Sequence, residues 1–444
     1  MELRKTTSPA NPFLLFLPSV VIYLIIIFVF SKSTNYGDEI RYLNYASNLT
    51  HGFYSYPKPF LDLGDGPGYP LILAPLIALK VPIIILKLLN ALFYYISVVF
   101  LFKALTRIVP FKFALIFSLV WAFYPSTFEE ITYVLPEVFA SSLIPLFIFF
   151  IVKTFESKKN EIRHTIGAGT TLGYLALTKP IFGYVLLTLI IITMLLMLVN
   201  RSKLDYKKNL IIFLFASIIS IPWLMYTYHM TDKVFYWSSF GGNNIYWMSS
   251  PYEEEYGDWF SQKFKTDNEL VPGSIEKIKA HHQKDFESIF QNKQARKLFI
   301  KNDSIYGSPY TGVIQDDILR DIAIKNIKSH PYKFLQNCIS NIGRMLFNYP
   351  SSYTLQKPST LKRLPVNGII VVVSLFCLVM TLLNWKKISF SILFLLCFAL
   401  IYFGGSIAGS AEPRMFTMIV PIILFWIAYI LHNTVQIKAN FSTD

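Results

Sequence analysis

Asp38 and Glu39 stand side by side just past the first long apolar run, in Tyr36-Gly37-Asp38-Glu39-Ile40-Arg41-Tyr42. Two ionised carboxylates and a guanidinium are costly to hold beside hydrocarbon unless they are paired or used. Asp38 and Arg41 are three residues apart, so a helix would put an acid and a cation on one face. Glu137 after Leu135-Pro136, Lys179 before Pro180, and Glu412-Pro413-Arg414 also lie at the edges of apolar runs. Acids, a few cations and aromatics in one cavity suit chemistry on a polar molecule carried by a lipid. Ordinary alternatives stand beside that reading. Asp38-Glu39 would serve as first-turn acids of a helix, worth about 0.3–1 kcal/mol, and Glu137 as the acid of a helix start after Pro136. Lys179 would snorkel to the interface, and Glu412 and Arg414 would pair only with each other.

The elements that position these groups follow from composition. Of 444 residues 53% are hydrophobic and only 15% charged, and the apolar runs are long enough to cross ~30 Å of hydrocarbon. The expected fold is an all-α polytopic membrane protein. Ten spans are expected, over residues 13–30, 83–103, 111–125, 138–153, 165–178, 181–199, 210–228, 366–384, 388–405 and 414–432. Lys153 to Arg163 and Arg201 to Lys208 are short and basic, so the positive-inside rule puts both in the cytoplasm. The stretch between them must then cross twice, breaking at Lys179-Pro180. Lys103, Arg107, Lys112, Lys386-Lys387 and both termini fall on the same side. That topology gathers Asp38, Glu39, Arg41, Glu129, Glu130, Glu137, Lys179, Glu412 and Arg414 at the outer face. The expected organisation is a membrane module over residues 1–228, an extracytoplasmic region over 229–365 and C-terminal membrane helices over 366–444. Within 229–365, apolar residues recur at a helical period from Asp316 to Phe347 with a break at His330-Pro331. Two amphipathic helices are expected there, on the membrane surface or roofing a cavity. A net charge of +14 fits basic loops against anionic lipid better than nucleic acid. Three cysteines imply no disulfide framework.

Taken in order, the motifs are Asp38-Glu39-Ile40-Arg41-Tyr42 with Ala46 and Gly52, Gly66-Pro67-Gly68-Tyr69-Pro70-Leu71, and Lys87-Leu88-Leu89-Asn90. Leu135-Pro136-Glu137, Leu177-Thr178-Lys179-Pro180, Pro222-Trp223 and Glu412-Pro413-Arg414 complete the set. The ordered set resembles the GT-C superfamily of polytopic glycosyltransferases that use polyprenyl-phosphate sugars, such as protein O-mannosyltransferases, the lipid A aminoarabinose transferase and rhizobial lipopolysaccharide-core transferases. There are two departures. Several relatives have Lys-Pro-Pro-Leu where this chain has Gly66-Pro67-Gly68-Tyr69-Pro70, and their usual Arg-Pro is Lys179-Pro180 here.

The resemblance implies a GT-C-like bundle that moves a sugar, with inversion, from polyprenyl phosphate to an acceptor hydroxyl. It implies Asp38 as general base, with Glu39 and Glu137 as the other catalytic acids. Arg41, Lys58, Lys87, Lys179 and Arg414 are the candidates for holding the donor phosphate, and Tyr69, Trp247 and Glu412 for contacting acceptor or sugar. Burial of Asp38 is expected to raise its pKa toward that of a useful base. The partners implied are a polyprenyl-phosphate sugar, a lipid-linked or surface glycan acceptor and membrane lipid, with no cofactor called for and a divalent cation left open. Richness in Ile, Lys, Asn and Phe points to an AT-rich genome and the short N-terminus to a bacterium, and so to undecaprenyl phosphate and a plasma-membrane enzyme working on the periplasmic or extracellular side. Asp62 and Asp65 do not form the two-carboxylate motif of metal-dependent sugar transferases. His281-His282 lacks the i, i+4 spacing of a two-His metal site and is expected to be solvated surface. The competing classes are an O-antigen polymerase or ligase and a polyprenyl-linked sugar transporter.

Overall fold

The computed structural model describes residues 11–31, 37–57, 61–156, 162–199, 204–259, 270–291, 312–356, 358–409 and 411–434. Apart from turns and the isolated bridges Asp62–Gly312 and Leu270–Thr354, regular structure among these residues is helical. Hydrocarbon offers backbone groups no water, so a spanning segment must close its own hydrogen bonds, and the helix does this. After the single turn Pro12–Leu15 come α1 (Leu17–Phe30), α2 (Asp38–Thr50), α3 (Gly68–Ala78), α4 (Ile83–Leu105), α5 (Phe111–Ala122) and α6 (Pro125–Glu130). The chain continues through α7 (Pro136–Glu156), α8 (Ile162–Thr178), α9 (Ile181–Val199) and α10 (Leu204–Thr231). Seven described helices are long and apolar enough to cross a membrane: α4, α7, α9, α10 and three near the C-terminus. Those three are α15 (Ser359–Asn384), α16 (Phe390–Ala408) and α17 (Pro413–Asn433). They follow α11 (Gly241–Met248), α12 (Ser274–Gln291), α13 (Val313–Ser329) and α14 (Pro331–Phe347) of the intervening region. The protein is a multi-pass membrane protein.

Each of the ten expected spans coincides with a helix. Several are short: α1 and α5 are shorter apolar helices, and α8 has 17 residues. α3 is a further apolar helix inside the stretch read as the first loop. The break at Lys179-Pro180 separates α8 from α9, because proline cannot donate the next backbone bond. Helices α13 and α14 occupy the two stretches expected to be amphipathic, though only α14 is markedly so, and they part at His330, whose backbone leaves helical geometry before Pro331. Buried α7 lies at the centre and packs on α4, α8 and α17. Some polar groups in this apolar core are tied to backbone. Asn90 donates to the carbonyls of Ile131 and Tyr133 at 3.1 and 2.7 Å, and the Tyr23 hydroxyl donates to that of Ala122 at 2.9 Å.

The ends of α1, α5 and α8 and the starts of α7, α9 and α17 lie at one end of the bundle, with α2 and α3. Basic residues mark the other end, where Arg107 pairs with Glu156 at 2.6 Å and Lys208 donates to the Thr154 carbonyl at 2.9 Å. Gly66 and Gly68 seat the segment before α3 directly on the last turn of α8. A Cβ on Gly66 would stand 2.0 Å from the Leu177 carbonyl oxygen, and one on Gly68 would stand 2.5 Å from Thr178 Oγ1. This contact sets the segment around Asp65 against the turn that carries Lys179.

Gly66→Ala is therefore expected to destabilise the detergent-solubilised protein by about 1–3 kcal/mol, read as a lower thermal midpoint. Gly404→Ala, where an added Cβ meets nothing within 4 Å, should show no such drop.

Candidate active site

α2 opens with Asp38 and Glu39 in its first turn, where unpaired backbone N–H groups favour acids. Successive helix positions diverge by roughly 100°, so the two carboxylates face different surroundings. Glu39 turns inward. It accepts the Val134 N–H at 2.8 Å and sits 3.9 Å from Lys87 Nζ, with both side chains at most 2% exposed. Asp38 stays at the edge of the bundle with its side chain 31% exposed, one oxygen 3.2 Å from Arg41 Nη1 and the other 2.8 Å from Arg414 Nη2.

Each guanidinium is held by a further acid. Arg41 Nε donates to Asp65 Oδ2 at 2.5 Å, and the guanidinium lies 4.7 Å from the centre of the Phe240 ring. Asp65 also accepts the Tyr42 hydroxyl at 2.6 Å, while the Tyr54 hydroxyl donates to its carbonyl at 2.9 Å. Arg414, in the first turn of α17, pairs through Nε with Glu412 at 2.7 Å and lies 3.4 Å from Glu137. Glu137, buried at the start of α7, accepts Lys179 Nζ at 2.7 Å. One continuous network thus joins Asp65, Arg41, Asp38, Arg414, Glu412, Glu137 and Lys179.

Burial pushes the Asp38 carboxyl up, but Arg414 and Arg41 beside it outweigh burial and hold it well below the usual carboxylate range. The expectation of a raised pKa is thereby corrected: the adjacent charges, not desolvation, decide the sign. Glu130, at the end of α6, behaves in the opposite way. Burial pushes its carboxyl well above the ordinary range, against the weaker effect of the Thr417 hydroxyl that bonds it.

Of the residues singled out from sequence, Asp38, Arg41, Glu137, Lys179, Glu412 and Arg414 are brought together. Glu39 and Lys87 form a separate buried pair. Tyr69 is fully buried against Tyr42 and Phe139. Trp247 packs with Tyr246, His282 and Phe286 in a second core, that of the region between α10 and α15. Lys58 lies outside the described residues. Asp65 is the member that sequence reading misses, since by spacing it stands out only beside Asp62, as a pair that makes no metal motif. Its signal was the neighbouring Gly66-Pro67-Gly68, which brings the backbone close to α8. The expectation that His281-His282 is solvated surface is also corrected. His282 is buried, and both rings meet Glu255, a residue too distant in sequence for local spacing to reveal.

An acid shared between two guanidiniums, with a second acid-cation pair beside it, can take up a proton, orient a hydroxyl and hold an anionic group. No family model and no curated protein matches the chain. Among solved structures, ArnT from Cupriavidus metallidurans bound to undecaprenyl phosphate aligns with a TM-score of 0.39 at 12% identity, over 93% of this chain and 77% of that one. The apo state of the same protein gives 0.41 at 11%, over 94% and 77%. The archaeal oligosaccharyltransferase AglB from Archaeoglobus fulgidus, in complex with an inhibitory peptide and a dolichol-phosphate, gives 0.49 at 13%, over 94% of this chain. This chain spans 50% of that protein's length. No family assignment follows from likenesses of this size.

Proposed function

We propose that this protein is an inverting glycosyltransferase. It moves a sugar from a polyprenyl-phosphate donor, undecaprenyl phosphate in a bacterium, to an acceptor hydroxyl on a glycan, glycolipid or protein. The observation that carries the reading is Asp38 between Arg41 and Arg414. Asp38 takes the proton of the attacking hydroxyl as its oxygen bonds to the anomeric carbon, and the lipid phosphate departs with the electrons of the broken bond. A positioned base contributes about 100- to 10,000-fold to such a step. Arg41, Arg414 and Lys179 are the cations assigned to the growing charge on the leaving phosphate, and preorganised cations are strongest where water is excluded. Glu137 holds Lys179 and approaches Arg414, which suits it to position both. The basic opposite end of the bundle supports an outward-facing site, periplasmic or extracellular.

The low proton affinity of Asp38 fits a sequence of events. Before the donor binds, both guanidiniums are committed to carboxylates. A phosphate that draws them toward itself weakens their hold on Asp38 and makes it a stronger base at the moment it is needed. The cations are thus shared between resting acid and leaving group.

Two measurements test this. In membranes, Asp38→Asn should lower transfer by at least 100-fold with the protein still inserted, and polyprenyl-phosphate sugar should accumulate in lipid extracts read by mass spectrometry. An active Asn variant removes Asp38 from the role, release of polyprenyl pyrophosphate favours the polymerase class, and unchanged lipid-linked sugars favour the transporter. The second is a pH profile. A carboxylate lowered in the folded protein is fully ionised above its ordinary value of ~3.9 and loses its charge only as pH falls through the depressed value. In kcat/KM, which reports the free enzyme, the wild type should show no acid limb from Asp38 between pH 7 and 5, and Arg414→Gln should move that limb upward.

A further inference from the structure

A second gathering of chemically capable side chains lies in the region between α10 and α15. Glu255, in the turns after α11, meets His281 and His282 on α12. Its Oε1 lies 2.9 Å from both His281 Nδ1 and His282 Nε2, and its Oε2 lies 3.0 Å from His282 Nε2. One ligand atom from each residue falls within 4.8 Å of the others. Adjacent helix positions normally diverge, and the two rings converge here by using different nitrogens.

The surrounding bonds indicate what the cluster is built to hold. The Tyr246 hydroxyl donates to Asp285 Oδ2 at 2.8 Å, so its oxygen accepts from His282 Nδ1, 2.6 Å away. A neutral His282 then carries its hydrogen on Nδ1 and turns the bare lone pair of Nε2 toward the Glu255 carboxylate. Two electron-rich atoms at that distance repel unless a proton or a metal ion lies between them. The same carboxylate is fixed by hydroxyls: Tyr353 donates to Oε1 at 2.9 Å, and Ser250 bonds Oε2. Tyr252 stacks on the His281 ring at 3.7 Å between centroids and donates to the His281 carbonyl at 2.9 Å. A carboxylate–tyrosine–imidazole chain is the outer support that fixes the tautomer of a metal-binding histidine. Glu255 and His282 are buried, yet a cavity of about 170 Å³ lined by both histidines, Tyr246 and Asp285 adjoins them and offers an ion a way in.

We propose that Glu255, His281 and His282 bind one zinc-class divalent cation that clasps the turns after α11 to α12. Two imidazoles and one carboxylate with a fourth position left for water or a hydroxyl form a donor set suited to zinc. Magnesium and calcium favour oxygen donors. Ligand atoms ~2.0–2.2 Å from a tetrahedral ion stand roughly 3.3 Å apart, so Glu255 and each imidazole need to part by only a few tenths of an ångström, while the two ring nitrogens already lie within 4.8 Å of each other. The site is separate from the acids and guanidiniums assigned to transfer, and its role is to hold the fold of this region. The turns it would fasten run on through Tyr256 and Asp258, which hold Arg344 of α14 at 3.1 and 3.7 Å.

The test uses the full-length protein in detergent, stripped with a chelator and titrated with Co²⁺. One equivalent should bind with the visible absorption of tetrahedral Co²⁺ and be displaced by Zn²⁺. Glu255→Gln and His282→Gln should abolish the signal while eluting as monodisperse protein. Tyr246→Phe, which removes only the outer support, should weaken binding about 10- to 100-fold. Absence of the absorption in the stripped wild type, with a melting temperature indifferent to chelator and zinc, overturns the proposal and leaves an imidazolium on His282 as the bridging charge. Unaltered Co²⁺ binding by both Gln variants overturns it equally. The wild-type titration decides the matter even where a variant fails to fold.

Discussion

The carboxylate of Asp38 is held by two guanidiniums, one from its own helix and one from α17, near the far end of the chain. That arrangement is the interaction on which the site depends, because no charge there can be left bare next to hydrocarbon. Satisfying one charge recruits the next. Arg41 needs Asp65, Arg414 needs Glu412 and approaches Glu137, and Glu137 needs Lys179, so the chain of pairings draws together the ends of α2, α7, α8 and α17. Removing one partner of a buried pair strands the other, which makes the network strict about composition. The same strictness gives chemistry its opportunity. In the proposed reaction a donor phosphate would exchange one anion for another around cations that are already in place.

Asp38 and Glu39 show how one peptide bond separates a buried carboxylate from an accessible one. Glu39, turned inward, spends its charge on a backbone N–H and Lys87, and thereby fixes α2 to the loop before α7 and to α4. Asp38, turned outward, keeps access to whatever enters. The buried pair makes the neighbouring residue's position reproducible. Gly66 and Gly68 do the equivalent work on the far side of Arg41, since only a missing side chain lets that segment lie against the end of α8.

Much of this was legible in the sequence because membranes impose simple rules. Apolar run length gave the helices, the basic loops gave their alternation, and the Lys179-Pro180 break followed from requiring two crossings. The charged residues at run edges, Asp38, Arg41, Glu137, Lys179, Glu412 and Arg414, converge because those edges lie at one end of the bundle. What local spacing could not reveal was pairing over distance. Asp65 stands in an irregular segment with no period to betray its direction. Lys87 stands among the candidate phosphate cations in the sequence because its partner, Glu39, reads there as half of an acidic pair rather than as a buried group. His281 and His282 failed the i, i+4 test, which assumes both rings use equivalent nitrogens and that all ligands come from one helix. Glu255 breaks that assumption from a separate turn.

Asn341 of α14 has a wider consequence. Its amide donates to the carbonyls of Ile407 and Gly409 at 3.0 and 3.1 Å, and its oxygen accepts from Ala411 N–H at 3.3 Å and Arg344 at 2.6 Å. The turn leading into Arg414 is therefore shaped by a helix from the region between α10 and α15. That region is not an interchangeable attachment on a finished membrane engine. Lineages that lengthen, shorten or exchange it must keep this one asparagine seat, or invent another, before the guanidinium at the start of α17 can find its place.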